Sequence, residues 1–108
     1  MNTTKESAKV FSAAGRIDYA KNSIVSQQIT KNPSGNITLF AFDQGQQLSE
    51  HSAPFDAIVH VVEGKAEIHI AGEAYCLKAG EMIVMPANIP HAVYAKERFK
   101  MLLVMIKG

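Results

Sequence analysis

The chain predicts an all-β protein, an antiparallel sandwich or barrel, preceded by a short N-terminal arm or helix. Two observations carry this prediction. Short apolar runs of strand length recur along the chain, each bounded by glycine, proline, asparagine or aspartate. Two dipeptides, Glu63-Gly64 and Ala71-Gly72, sit between such runs, where glycine supplies the positive φ of a tight hairpin. There are no internal repeats, low-complexity stretches or linkers, so the 108 residues read as one domain, with residues 36–106 as the barrel and 1–35 as the arm and edge strands.

The elements follow in order. Thr3 and Glu6 have capping-box spacing, Val10, Phe11 and Ala14 share a helical face, and Gly15 ends that run. A helix so short is marginal alone, and an extended arm packed on the barrel accounts for the same residues. The strand runs are Ile37 to Phe42, Ala57 to Val62, Lys65 to Ile70, Ala74 to Leu77, Met82 to Met85, Ala92 to Ala95 and Phe99 to Ile106. The last is apolar on both faces from Met101 onward, whereas a strand buried on one side alternates. A second covered face implies either a central strand of the sandwich or a subunit contact, and a homodimer is expected.

Composition excludes several functions. Eleven basic residues nearly balance ten acidic ones, without a basic stripe to follow a phosphate backbone, so no nucleic-acid partner is expected. No apolar segment approaches the roughly 20 residues of a membrane-spanning helix, so no membrane partner is expected either. Met1 to Val10 lacks the apolar run of a secretory signal, and the single Cys76 excludes an internal disulfide. A cytoplasmic protein is the expectation. No nucleophile, phosphate-cradling loop or nucleotide fingerprint is present.

The most informative stretch is Gly80 to His91: an apolar strand, a turn bounded by Pro86 and Pro90, and a histidine delivered as the next strand begins. Upstream, Gly45 is followed after five residues by His51, and Gly64 closes a second frame. With these residues the chain resembles the cupin superfamily, small jelly-roll barrels (double-stranded β-helices) that often hold a metal at the barrel mouth. The family's second motif runs glycine, five residues, proline, one residue, glycine, two residues, histidine, three residues, asparagine. Gly80, Pro86 and His91 match, Asn88 replaces the second glycine and Ala95 the final asparagine. Asparagine tolerates a left-handed backbone, so that replacement leaves the turn intact. In the first motif only His51 of the ligand positions survives, with Ala53 at the second histidine and Ala57 at the glutamate.

The resemblance therefore implies a degenerate site. A divalent ion (zinc, iron, manganese or nickel) would be held by His51 and His91 alone, weakly or not at all, since catalytic zinc takes about three protein ligands and structural zinc four. Residues two apart in a strand share a face, so His51, Ala53, Ala57, Val59 and Val61 should line the barrel interior. The alanines open that interior into an apolar small-molecule pocket with two histidines at its mouth. Gln47 and Ser49 share the parity of His51 and join the ligand contacts, with Phe40 and Met82 as apolar walls. Core packing is the plainer reading for Phe40 and for the methionines. Catalytic residues stay unassigned.

The alternative is a metal-dependent enzyme, a dioxygenase or isomerase, in which a bulge near Pro54 turns Asp56 inward beside the two histidines. A further alternative is a non-catalytic dimerising or regulatory module. His60 is expected on the outer face, His69 in solvent, and Cys76 as a small core residue.

Overall fold

The computed structural model describes residues 8–107. It contains strands β1 (Ile24–Asn32), β2 (Gly35–Phe42), β3 (Gln47–His51), β4 (Asp56–Ile70), β5 (Glu73–Lys78), β6 (Met82–Met85), β7 (His91–Tyr94) and β8 (Phe99–Ile106). All pairings are antiparallel. A first sheet runs β1-β2-β8-β4-β6 and a second runs β3-β7-β4-β5, so β4 belongs to both. The two close into a jelly-roll barrel.

The 15-residue β4 corrects the expected hairpin at Glu63-Gly64. The chain does not turn back there. Residues up to Gly64 pair with β8, and those from Lys65 pair with β5. A register shift between Val61 and Glu63 and a φ of 76° at Gly64 bend the strand from one sheet into the other. One displaced residue also changes the inward parity, from Ala57, Val59 and Val61 to Ala66 and Ile68, all buried. The segment after β5 staples the bend: Ala79 N–H donates to the Gly64 carbonyl at 3.1 Å and Gly80 N–H to that of Val61 at 2.8 Å. Ala71-Gly72, by contrast, is the expected hairpin, with φ values of 53° and 82°.

The core lies between the sheets. Phe42 and Phe99 are fully buried, with stacked rings whose centroids are 4.6 Å apart, and Val59, Val61, Ile68, Val93 and Met101 pack around them. A second cluster covers the outside of β2 and β8, where Leu39, Ala41 and Leu102 meet Ile17 and Tyr19 of the N-terminal arm. This arm supplies part of the second covered face that the apolar β8 sequence implied. Its attachment is polar as well as apolar. The Lys100 ammonium, buried with its side chain, donates to the Ala14 carbonyl at 2.6 Å and lies 3.6 Å from Glu63. Tyr19 O–H donates to the same Glu63 carboxylate at 2.5 Å, and both Arg98 and Lys100 sit 4.9 Å from its ring centroid.

Of the two alternatives left open near the N-terminus, a helix or an extended arm, the helix is not formed by the described residues. Residues 8–12 have no regular structure, Val10 is fully exposed, and a single 3₁₀ turn spans Ala14–Arg16. Gly15 lies inside that turn rather than ending a helix, and its N–H is held by the Ser12 hydroxyl. Thr3 and Glu6 lie outside the described residues. No helix among the described residues is long and apolar enough to cross a membrane.

Candidate functional site

A bulge in β3 builds the site. Gln47 stands opposite Tyr94 and Leu48 opposite Val93, but His51, not Glu50, stands opposite His91. Three steps on β3 therefore match two on β7, and the extra residue turns His51 to the inner face that Leu48 and Val93 share. From the other side, the turn between Pro86 and Pro90 delivers His91. Asn88 adopts the left-handed conformation, with φ 65°, that its place in the motif requires. Its N–H donates to the Ala53 carbonyl at 2.7 Å, and the Pro90 carbonyl accepts from Ala71 N–H at 2.9 Å, which ties three loops together at the barrel rim.

The two predicted histidines meet there. Their rings pack edge to face with centroids 4.4 Å apart, and Nε2 of one lies 3.2 Å from Nε2 of the other. His51 Nδ1 lies 2.9 Å from the Ser49 carbonyl, which can only accept, so that nitrogen carries a proton and Nε2 of neutral His51 is an acceptor. The shared proton of the neutral pair then belongs to His91 Nε2, and His91 Nδ1 becomes a bare acceptor. That atom is buried without a hydrogen-bond partner. Burial holds the His91 pKa below its ordinary value of 6.5, and the neighbouring His51 adds to the effect. The nearby Ile89 carbonyl favours a proton on the ring and opposes both, without accepting a bond of good geometry from Nδ1.

A divalent ion does not fit this donor set as a resident cofactor. Among the described residues no group of three or more His, Cys, Asp or Glu is placed to hold one. His91 also lacks the second hydrogen bond that fixes a metal-binding imidazole. The carboxylate invoked for the metal enzyme is unavailable. Asp56 lies on the outward parity of β4, and its Oδ1 accepts from Ala87 N–H at 2.8 Å. The bulge that exists lies between Leu48 and His51, upstream of Pro54, and re-aims the histidine instead.

The space expected from Ala53 and Ala57 is not among the grooves found in the described residues. Ala57 is buried in the packed core beside Met85, and grooves of about 340, 410, 230 and 120 Å³ include neither alanine and neither histidine. Any ligand of the pair meets it at the rim, where His51 is exposed and His91 is 6% exposed.

The other predicted contacts scatter. Gln47 precedes the bulge and faces outward beside Tyr94, so the parity argument that joined it and Ser49 to His51 fails at the inserted residue. Ser49 contributes only its carbonyl. Phe40 packs into the core next to Phe42, with ring centroids 6.1 Å apart. Met82 is 59% exposed on β6 and borders a groove with Tyr75 and Cys76. Cys76 is exposed rather than buried, because it faces outward from β5, opposite Glu67. His60 is half-buried on the outer face between Leu102 and Met82, as expected. His69 is half-buried and bonded to Glu67 at 2.6 Å rather than free in solvent. The Glu67-x-His69 spacing signalled this pairing, since residues two apart on a strand share a face.

Residues 38–107 match the profile of the cupin domain family. A conserved protein of unknown function from Streptococcus pyogenes superposes with a TM-score of 0.88 at 42% identity, over 94% of this chain and 89% of that one. A cupin 2 conserved barrel domain protein from Leptotrichia buccalis gives 0.84 at 40% identity, over 87% of this chain and 46% of that one. Among curated proteins, polyketide synthase CurC of Streptomyces cyaneus is 34% identical over 59 residues, which make up 54% of this chain but only 38% of that protein. Motif, barrel and sequence agree: the chain belongs to the cupin domain family.

Proposed function

We propose that this cupin binds a small organic molecule at the barrel rim, with the His51–His91 pair as its polar anchor and with a divalent ion held weakly or not at all. The observation that carries the reading is the pair itself: two imidazoles 3.2 Å apart, one exposed and one buried, with no third ligand beside them among the described residues. His51 is the exposed member, and a ligand hydroxyl or acid group that displaces the Nε2–Nε2 contact would bond to its Nε2. A matching stretch in a protein named polyketide synthase CurC agrees with an organic ligand.

The test combines elemental analysis of protein purified without a chelating column with a ligand-observed NMR fragment screen. Zinc, iron, manganese and nickel should total well under one equivalent, and fragment hits that shift the His51 and His91 amides of the ¹⁵N-labelled chain should be lost in His51→Ala. One equivalent of metal that disappears in His91→Ala, no hit at these amides, or such rim hits surviving His51→Ala, would overturn the reading.

A homodimer is part of the same proposal. Ile58, Val84, Leu102 and Val104 lie on adjacent strands of the first sheet's outer face, next to the exposed Met82. Among the described residues, the N-terminal arm reaches this face at Leu102 and otherwise covers the neighbouring Leu39–Ala41 side. Light scattering should report twice the chain mass, and Val84→Lys should shift it toward monomer; an unchanged mass in the variant would remove this face from the interface.

A further inference from the structure

The outer face of the second sheet carries a cluster that the rim site does not use. Gln47, Tyr94 and Glu67 stand side by side on β3, β7 and β4, with His69 next along β4 and Lys96 just beyond β7. They border a groove of about 340 Å³ whose walls also include Gly45 and Ala95. That volume lies within the range of small-molecule sites, about 300–1,000 Å³.

The charges in the groove are unevenly matched. One carboxylate, Glu67, serves two basic side chains: His69 Nε2 at 2.6 Å and Lys96 Nζ at 3.0 Å. Those bonds, His69's first, hold its carboxyl below the ordinary range, so it stays ionised. Glu67 orients His69 through Nε2, and among the described residues His69 Nδ1 makes no hydrogen bond. Lys96 is 80% exposed, and its ammonium is free to bridge to a second carboxylate. The Lys96 ammonium has three N–H donors and spends one on Glu67, so a ligand carboxylate can take another. The apolar part of the groove is aromatic. Tyr94 packs edge to face against His69 with centroids 4.6 Å apart, and a planar ring would extend this pair in the same way.

We propose that this groove is a second binding site, for a small aromatic carboxylate, with the ligand carboxylate taken by Lys96 and the Gln47 amide, and the ring taken by Tyr94 and His69. The β3 bulge makes this possible, because it lets one short strand present Gln47 to the outer groove and His51 to the rim. The two sites therefore lie on opposite faces of one sheet and are separable by mutation.

The probe is sodium benzoate, titrated into the ¹⁵N-labelled chain and followed by amide shifts, with benzamide as the neutral control. Saturable shifts should centre on Gln47, Glu67 and Tyr94, and benzamide should bind about tenfold more weakly, the ratio expected for losing one charge-assisted contact. Lys96→Gln and His69→Gln should each weaken benzoate severalfold, and His51→Ala should leave it unchanged. Lys96 is exposed, so its variant tests binding rather than folding. Shifts that do not saturate, shifts centred on His51 and His91, or equal affinity for benzamide would each overturn the proposal.

Discussion

Replacing Gly64 by alanine should damage this fold far more than replacing Gly72, although both glycines have left-handed backbones. Their φ values are 76° and 82°, so a side chain at either incurs a similar conformational cost, about 1–2 kcal/mol. Alanine returns part of that, about 0.4–1 kcal/mol, by stiffening the unfolded chain. At Gly72 nothing lies within 4 Å of the added Cβ, and a net loss of about 1 kcal/mol is expected. At Gly64 the Cβ would lie 2.3 Å from the Arg98 carbonyl oxygen and 3.1 Å from Phe99 Cα. These are backbone atoms of the β4–β8 ladder, and they cannot swing aside as a side-chain tip does. Forced shifts of this kind cost about 1–3 kcal/mol, which brings the expected total for Gly64→Ala to about 3 kcal/mol. With a urea m-value near 1.5 kcal/mol/M, the midpoints should fall by roughly 2 M for Gly64→Ala and about 0.7 M for Gly72→Ala. Equilibrium urea unfolding by circular dichroism measures both, with unchanged m-values as the check on two-state behaviour. Equal losses at the two positions would refute the argument that close approach at the sheet junction, rather than φ alone, demands glycine.

Three further outcomes are expected. Because burial and His51 hold the His91 pKa below 6.5, the unfolded chain binds more protons than the folded one between the two values, so stability should fall as pH drops below about 6.5; urea midpoints at successive pH values should show this slope, and His91→Gln should flatten it. The Tyr19 hydroxyl has its pKa pushed well above 10.0, by burial first and by its bond to Glu63 second. Its contribution to stability is complete below pH 10 or so and declines as the pH rises beyond that, so Tyr19→Phe should remove an alkaline slope seen in the same measurement. In the core, Phe99→Ala removes half of a fully buried stacked pair and should cost about 3–5 kcal/mol, whereas Met82→Ala, at an exposed position, should stay within about 0.5 kcal/mol; comparable thermal-melt losses would contradict the burial pattern.

Much of this was legible because it depends on single residues and their neighbours in sequence. Ala71-Gly72 forms its hairpin because the turn needs positive φ and the flanking runs need partners. Asn88 takes the left-handed position because few other residues do so at low cost, and the spacing from Gly80 then delivers His91 to the rim. The meeting of His51 and His91 followed from two motif frames that each end at the same mouth.

The failures share a cause. Gln47 was placed beside His51 by parity, and Cys76 in the core by the apolar character of its run. Glu63-Gly64 looked like a hairpin by the same signal that succeeded at Ala71-Gly72. Each of these inferences assumed a regular strand with one neighbour on each side.

By itself, the sequence determined the fold class, the turn before His91 and the two histidines, since local conformational preference and hydrophobic periodicity are written in consecutive residues. The tertiary structure decided which face each strand shows. A bulge is stable only if the partner strand accepts the mismatch, as β7 does between Val93 and His91, and a glycine bends or turns the chain according to what packs against it. That pairing, not composition, put Gln47 outside, turned Asp56 away, and left two imidazoles sharing a proton at the rim.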